Sequence, residues 1–215
     1  MPDYLPLCAF RQDLLPAACR SCAWWLTSGV SPSEKDAAYQ RRQEWMTSLE
    51  STWGSTGLIN PTDRASNGHS LPAVAASIHY APVSGVPRLR DLPLGPIPPE
   101  SVLLFCLRVE VANSRPPARR ILQKALAQVR LRGASEVYAF ASEAGGARGG
   151  DRCEFFALDL LEDTGFKHVR NSGDLYLMRV DLRGLATFVD RFESAVRKVI
   201  GGDPAPSPAA WTRRG

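Results

Sequence analysis

The sequence predicts a mixed α/β domain, one sheet flanked by helices, and three observations carry that prediction. The segment "SVLLFCLRVEV" is the most hydrophobic run of the chain and reads as a central strand. It feeds directly into "NSRPPARRILQKALAQVRLRG", where apolar residues recur with the helical period. Strand and helix signals then alternate until "FKHVRNSG" and "DLYLMRVDL" close the order as a hairpin.

The elements follow from local chemistry. "CRSCAWWLT" is aromatic and β-prone, and "SGVSPSEK" supplies a helix start, with Ser31 as N-cap, Pro32 at the first position and Glu34 completing a capping box. The helix that follows carries the stripe Ala38, Trp45, Met46, Leu49 and Trp53, places Lys35, Arg41, Arg42 and Glu44 elsewhere, and ends at Gly54 and Gly57. "GLIN" and "LPAVAASIHYAP" read as a hairpin joined by the turn-rich "PTDRASNGHS", and the proline-punctuated stretch from Pro82 to Pro99 is irregular.

After the central strand, the basic helix over about 116–132 sets Ile121, Leu122, Ala125, Leu126 and Val129 against a polar face of Arg119, Arg120, Gln123, Lys124 and Gln128, with Gly133 as its C-cap. A strand "SEVYAFAS", the glycine-rich loop "EAGGARGGDR" and a short helix in "CEFFALDLLEDTG" precede the closing hairpin. Residues 1–18 are expected to be an N-terminal extension, 19–182 the domain, 183–201 an amphipathic helix packed on it, and 202–215 a disordered tail.

Composition sets limits on function. The 215 residues are 44% hydrophobic and 22% charged, enough for one core that removes roughly 70% of the unfolded surface from water. The formal charge of +4 is mild, which argues against nucleic acid or a membrane surface as partner. No apolar run approaches the ~18 residues of a membrane span, and Arg11 and Asp13 interrupt any secretory core near the start. Cys8, Cys19, Cys22, Cys106 and Cys153 form an odd set without framework spacing, which fits the cytoplasm better than an oxidising exterior. A homodimer is left open.

"LRVEVANSRPPARRIL" and "LLEDTGFKHVRN…LYLMRVDL", in this order of elements, resemble the GCN5-related N-acetyltransferase (GNAT) family over most of residues 19 to 182. The resemblance implies an acyl-CoA N-acyltransferase fold and transfer of an acetyl group from acetyl-CoA to an amine, on a small molecule or a protein lysine. It places Val109, Val111, Arg115, Ala118, Arg119 and Arg120 at the cofactor, where a helix N-terminus offers unpaired N–H groups and partial positive charge to a pyrophosphate. The other reading of these arginines is a solvated helix face.

The chain departs from the family pattern, in which Arg or Gln is followed at fixed spacing by two small residues. One register sets Asn113, Pro116 and Ala118 at those positions, the other Arg115, Ala118 and Arg120, and neither restores a glycine. Pro116 and Pro117 each remove an N–H donor. Leu161 stands where the family often has the tyrosine that protonates the leaving thiolate, which leaves Tyr176 and Tyr138 as candidate acids. Glu110 is the candidate base, on the face of the central strand opposite Val109 and Val111; a structural ion pair, or attack by an already neutral amine with no base, are the alternatives. A non-catalytic module that binds acyl-CoA or a protein partner is the rival from another class.

"CRSC", with Cys8, His69 and His79 elsewhere, offers half of a zinc shell and lacks the other half, so no metal is expected. Cys106 reads as a core residue, and "GGARGGDR" lacks the ending of a phosphate loop.

Overall fold

The computed structural model describes residues 4–26, 35–62, 73–109, 115–143 and 155–183. Among them lie eight strands, β1 (Leu5–Leu7), β2 (Gly57–Thr62), β3 (Ala73–Pro82), β4 (Val102–Val109), β5 (Glu136–Ser142), β6 (Phe156–Ala157), β7 (Lys167–Ser172) and β8 (Leu175–Asp181). The α-helices are α1 (Ala17–Arg20), α2 (Lys35–Thr52), α3 (Arg115–Leu131) and α4 (Leu158–Asp163). The strands form one sheet in the order β1-β2-β3-β4-β5-β8-β7, with β6 added to β5. Pairing is antiparallel except at β4–β5 and β5–β6.

The hydrophobic run forms β4, with β3 on one edge and β5 on the other, and Val102 to Leu107 are all buried. Its alternate side chains serve two cores. Leu103 and Phe105 join Trp25, Tyr138, Phe140 and Leu177 in a cluster against which Trp45 and Leu49 of α2 pack. On α3, Ile121, Leu122, Ala125, Leu126 and Val129 are buried as the periodicity predicts, yet they join none of the clusters beneath α2. The helix packs on β2, β3 and β4 from the other face of the sheet. Gly133 ends it with φ of 86° and an N–H to the Arg130 carbonyl at 2.8 Å.

Residues 5–15 form the edge strand β1 and a 3-10 turn, burying Leu7 and Leu15 in a cluster with Met46. The expected strand in "CRSCAWWLT" is not formed. This stretch runs from the end of α1 through a turn into a 3-10 turn at Trp24–Leu26. The aromatic residues find burial without a sheet edge: the Trp25 ring lies 5.4 Å from Phe105 and 5.9 Å from Phe140, and Trp24 packs edge-on to Trp25. A second correction concerns Arg42. It lies on the buried face of α2, only 4% exposed, because it stands four residues from both Ala38 and Met46.

Residues Met1–Leu182 form one compact unit and Arg183–Gly215 a second. The expected helix over 183–201, Arg183 apart, and the tail over 202–215 lie outside the described residues, as do the N-cap at Ser31 and the loop over 144–154.

Candidate active site

The site is built where two parallel strands part. β4 and β5 pair only through Val102, Leu103 and Leu104 against Val137, Tyr138 and Ala139, although β4 runs on to Val109 and β5 to Ser142. The far edge of β5 is paired with β8 from Glu136 to Ser142. β6, which pairs with Ala141 and Ser142, therefore takes the edge that β4 has left. Above Leu104, β4 has no strand partner on its β5 side among the described residues. An unpaired edge beyond the carboxyl end of parallel strands is where α/β sheets accept ligands.

The same segment is bent. Ser77 pairs with Arg108 and His79 with Phe105, so Ile78 alone faces both Cys106 and Leu107, and Cys106 takes φ of 52°. This is a β-bulge with a non-glycine residue in the left-handed region, a conformation that costs about 1–2 kcal/mol. Such strain persists where packing overdetermines it, and it turns backbone groups out of the ladder. Cys106 is buried as expected of a core residue, but its backbone conformation had no signature in the sequence.

Directly after the parted strand comes α3. The N–H groups of a helix's first turn lack internal partners, and here the positions described there are Arg115, Pro116 and Pro117, followed by Ala118, whose N–H is the first to bond within the helix. Of these, only Arg115 offers a free N–H, because the prolines have none. Ala118 is 1% exposed with its methyl in the core, whereas Arg119 and Arg120 are exposed. The Arg120 charge reaches Tyr4, whose pKa burial raises and this arginine partly restores. Val109 ends β4, half-buried and paired with Ala76. Glu110 and Val111 lie outside the described residues, and so does the side chain of Arg115.

The two tyrosines part company. Tyr176 on β8 faces Ala141, near the end of β5, and its hydroxyl donates to Glu143 Oε1 at 2.9 Å. That hydrogen bond, followed by the Glu143 charge, raises its pKa and keeps the phenol protonated. Tyr138 pairs with Leu103 at the opposite end of the strand, where its hydroxyl donates to Glu136 Oε2 at 3.1 Å. Burial first, then Glu136, raises it too. Leu161 is wholly buried.

Beneath the bulge, on the α2 face, lies a small cavity lined by Cys19, Cys22, Arg42, Ser77, His79 and Cys106. Its chemistry centres on Arg42, whose Nη1 donates to the Cys22 carbonyl at 3.0 Å and whose Nη2 donates to His79 Nε2 at 2.6 Å. The imidazole stacks on Phe105 with planes 19° apart. Burial above all, and then the Arg42 charge, pushes the His79 pKa well below its usual value, so the ring is neutral and accepts the guanidinium proton. The fold thus gathers thiols and an imidazole that the sequence left scattered. They do not make a zinc shell: Arg42 occupies His79 Nε2, and no group of three metal-ligating side chains is assembled among the described residues.

Comparison with known proteins agrees with the architecture. No family model and no curated protein matches the sequence. Among solved structures, YncA from Salmonella typhimurium, assigned as an acetyltransferase and solved with its cofactor acetyl-CoA, superposes with a TM-score of 0.51 at 12% identity, over 84% of this chain and 93% of that one. A ribosomal-protein-alanine N-acetyltransferase from Brucella melitensis gives 0.49 at 14% identity over 83% and 99%, and an N-acetyltransferase from Staphylococcus aureus Mu50 gives 0.49 at 16% over 84% and 98%. Among the described residues no helix is long and apolar enough to cross a membrane. A mixed eight-stranded sheet that parts between β4 and β5, flanked by helices on both faces, has the GNAT-like acyl-CoA N-acyltransferase fold.

Proposed function

We propose that the protein is a cytoplasmic N-acetyltransferase that moves an acetyl group from acetyl-CoA to an amine. The observation that carries the reading is the parting of β4 from β5 at a left-handed bulge, immediately before a basic helix N-terminus. A thioester laid along β4 meets backbone groups that no neighbouring strand uses, and polar donors fixed in a water-poor site favour charge developing on a carbonyl oxygen. The likeness to an acetyltransferase solved with acetyl-CoA supports the same choice.

In this reading the N–H of Arg115, at the helix start that leads to Ala118, and the charges of Arg119 and Arg120 hold the diphosphate. The amine nitrogen bonds to the acetyl carbon as the carbon–sulfur bond breaks. The amine proton leaves to Glu110 or to water, and the thiolate takes a proton from Tyr176, which its hydrogen bond to Glu143 keeps protonated.

The rival reading, a non-catalytic module that binds acyl-CoA or a protein, draws on the buried Leu161 in the place of an acid and on the prolines at the helix start. Calorimetry with acetyl-CoA and coenzyme A, followed by thiol release with a panel of amines and lysine peptides, separates the two. Binding with turnover supports the transferase, binding without turnover supports the module, and no binding at millimolar ligand refutes both.

A further inference from the structure

The geometry points to a carboxylate-binding site on the α2 side of the bulge, in which the buried Arg42 guanidinium receives the carboxylate of the amine acceptor. The inference rests on the acetyl-transfer reading and narrows its acceptor to amines that carry a carboxylate, such as free amino acids.

A guanidinium stays charged at every accessible pH and carries five N–H donors. Arg42 is 4% exposed, yet the partners it has are a carbonyl and a neutral imidazole, and its Nε is buried without a hydrogen-bond partner. Among the described residues no carboxylate pairs with it. A buried cation without a counter-charge is strongly disfavoured, and a planar carboxylate is the anion that matches the guanidinium fork.

The surroundings select size and place. The cavity has room for about one water-sized group, which suits one oxygen end of a carboxylate. Buried Ser77 and half-buried Cys22 line it too. Cys106, the bulge residue, lines it as well, so a carboxylate held here leaves the amine of the same molecule beside the segment of β4 that has parted from β5. A cation would meet Arg42, which removes a metal as the occupant.

The test titrates the full chain, with coenzyme A present, with L-amino acids and their amides in matched pairs, read by calorimetry. The acid is expected to bind at least tenfold tighter than its amide, and Arg42→Gln to erase that preference while Arg42→Lys restores part of it. Should Arg42→Gln fail to fold by circular dichroism, competition on the native protein decides: sodium acetate displaces the bound amino acid and sodium chloride at equal ionic strength does not. Equal binding of acid and amide, a preference that survives in folded Arg42→Gln, or displacement by chloride and acetate alike overturns the inference. Thiol release from acetyl-CoA with the amine panel tests the transferase reading separately, so each can fail without the other.

Discussion

Acidification should expose the His79–Arg42 pair before any other feature of the core. His79 is 2% exposed, with its pKa held well below 6.5 by burial first and by the Arg42 charge second; a hydrogen bond with the Thr56 backbone opposes both. The folded protein therefore keeps this ring neutral while the unfolded chain binds a proton below about pH 6.5. The unfolded state holds more protons, so this contribution to stability is complete above the unfolded pKa and falls as pH drops beneath it. While the folded ring stays neutral, each pH unit below the unfolded pKa costs up to about 1.4 kcal/mol. In a domain of this size each such unit lowers Tm by about 3–6 °C. In His79→Gln the amide oxygen can accept from Arg42 and does not titrate. Urea or thermal unfolding of both proteins, followed by circular dichroism from pH 7.5 to 5, should show the variant less stable at neutral pH, where the stack on Phe105 is lost, and the gap closing on acidification by up to about 1.4 kcal/mol per pH unit. Parallel curves would mean that His79 is protonated in the fold, and the neutral acceptor assigned to Arg42 would be wrong.

Three further outcomes test other parts of the molecule. Arg119→Ala and Arg120→Ala should each weaken coenzyme A binding several-fold by calorimetry, and more so at low ionic strength, since both side chains are exposed and their charges are screened by salt. Tyr176→Phe should lower turnover and alter the alkaline limb of its pH profile, because the raised pKa keeps the phenol protonated throughout the working range; an identical rate and profile would remove it as the acid. Gly133→Ala meets no atom within 4 Å and should lose only the backbone penalty of its positive φ, about 1–2 kcal/mol, whereas Gly57→Ala drives a methyl into the Ile78 carbonyl and should be the worse of the two by urea unfolding.

The legible parts of the chain were those in which one period governs one face. The apolar stripe of α3, its glycine terminator and the run that became β4 depend on neighbours within a turn or two, and their positions were read correctly. Trp24 and Trp25 were misread because β-propensity measures a fit to a half-buried surface, and here the aromatic cluster around Phe105 and Phe140 supplies the burial without a strand. Arg42 was misplaced because polar character outweighed spacing, although its four-residue distance from Ala38 and from Met46 already set it on the inner face. The bulge at Cys106 depends on the register of β3 against β4, and the cavity beneath it on four segments meeting, so neither has a local signature.

The helix start and the bulge divide the proposed site unequally. Pro116 and Pro117 remove two of the N–H donors that a first turn otherwise offers and leave that of Arg115 among the described residues, and a hydrogen bond to a charged group contributes about 1.5–3 kcal/mol. Arg119 and Arg120 return charge to the same end but stand exposed, where each is worth about 0.3–1 kcal/mol against a helix-bound anion and less in salt. The arginines therefore offset only part of what the prolines remove. The bulge loses nothing comparable: Cys106 keeps its left-handed conformation without a glycine, held by the buried packing around Phe105 and by a β3 register that leaves Ile78 opposite two residues. For the proposed transferase, a conformation costing about 1–2 kcal/mol retained at the parted strand, together with donors given up at the helix start, argues that selectivity lies at the thioester and the acceptor. That is where the buried Arg42 lies, against the wall formed by Cys106.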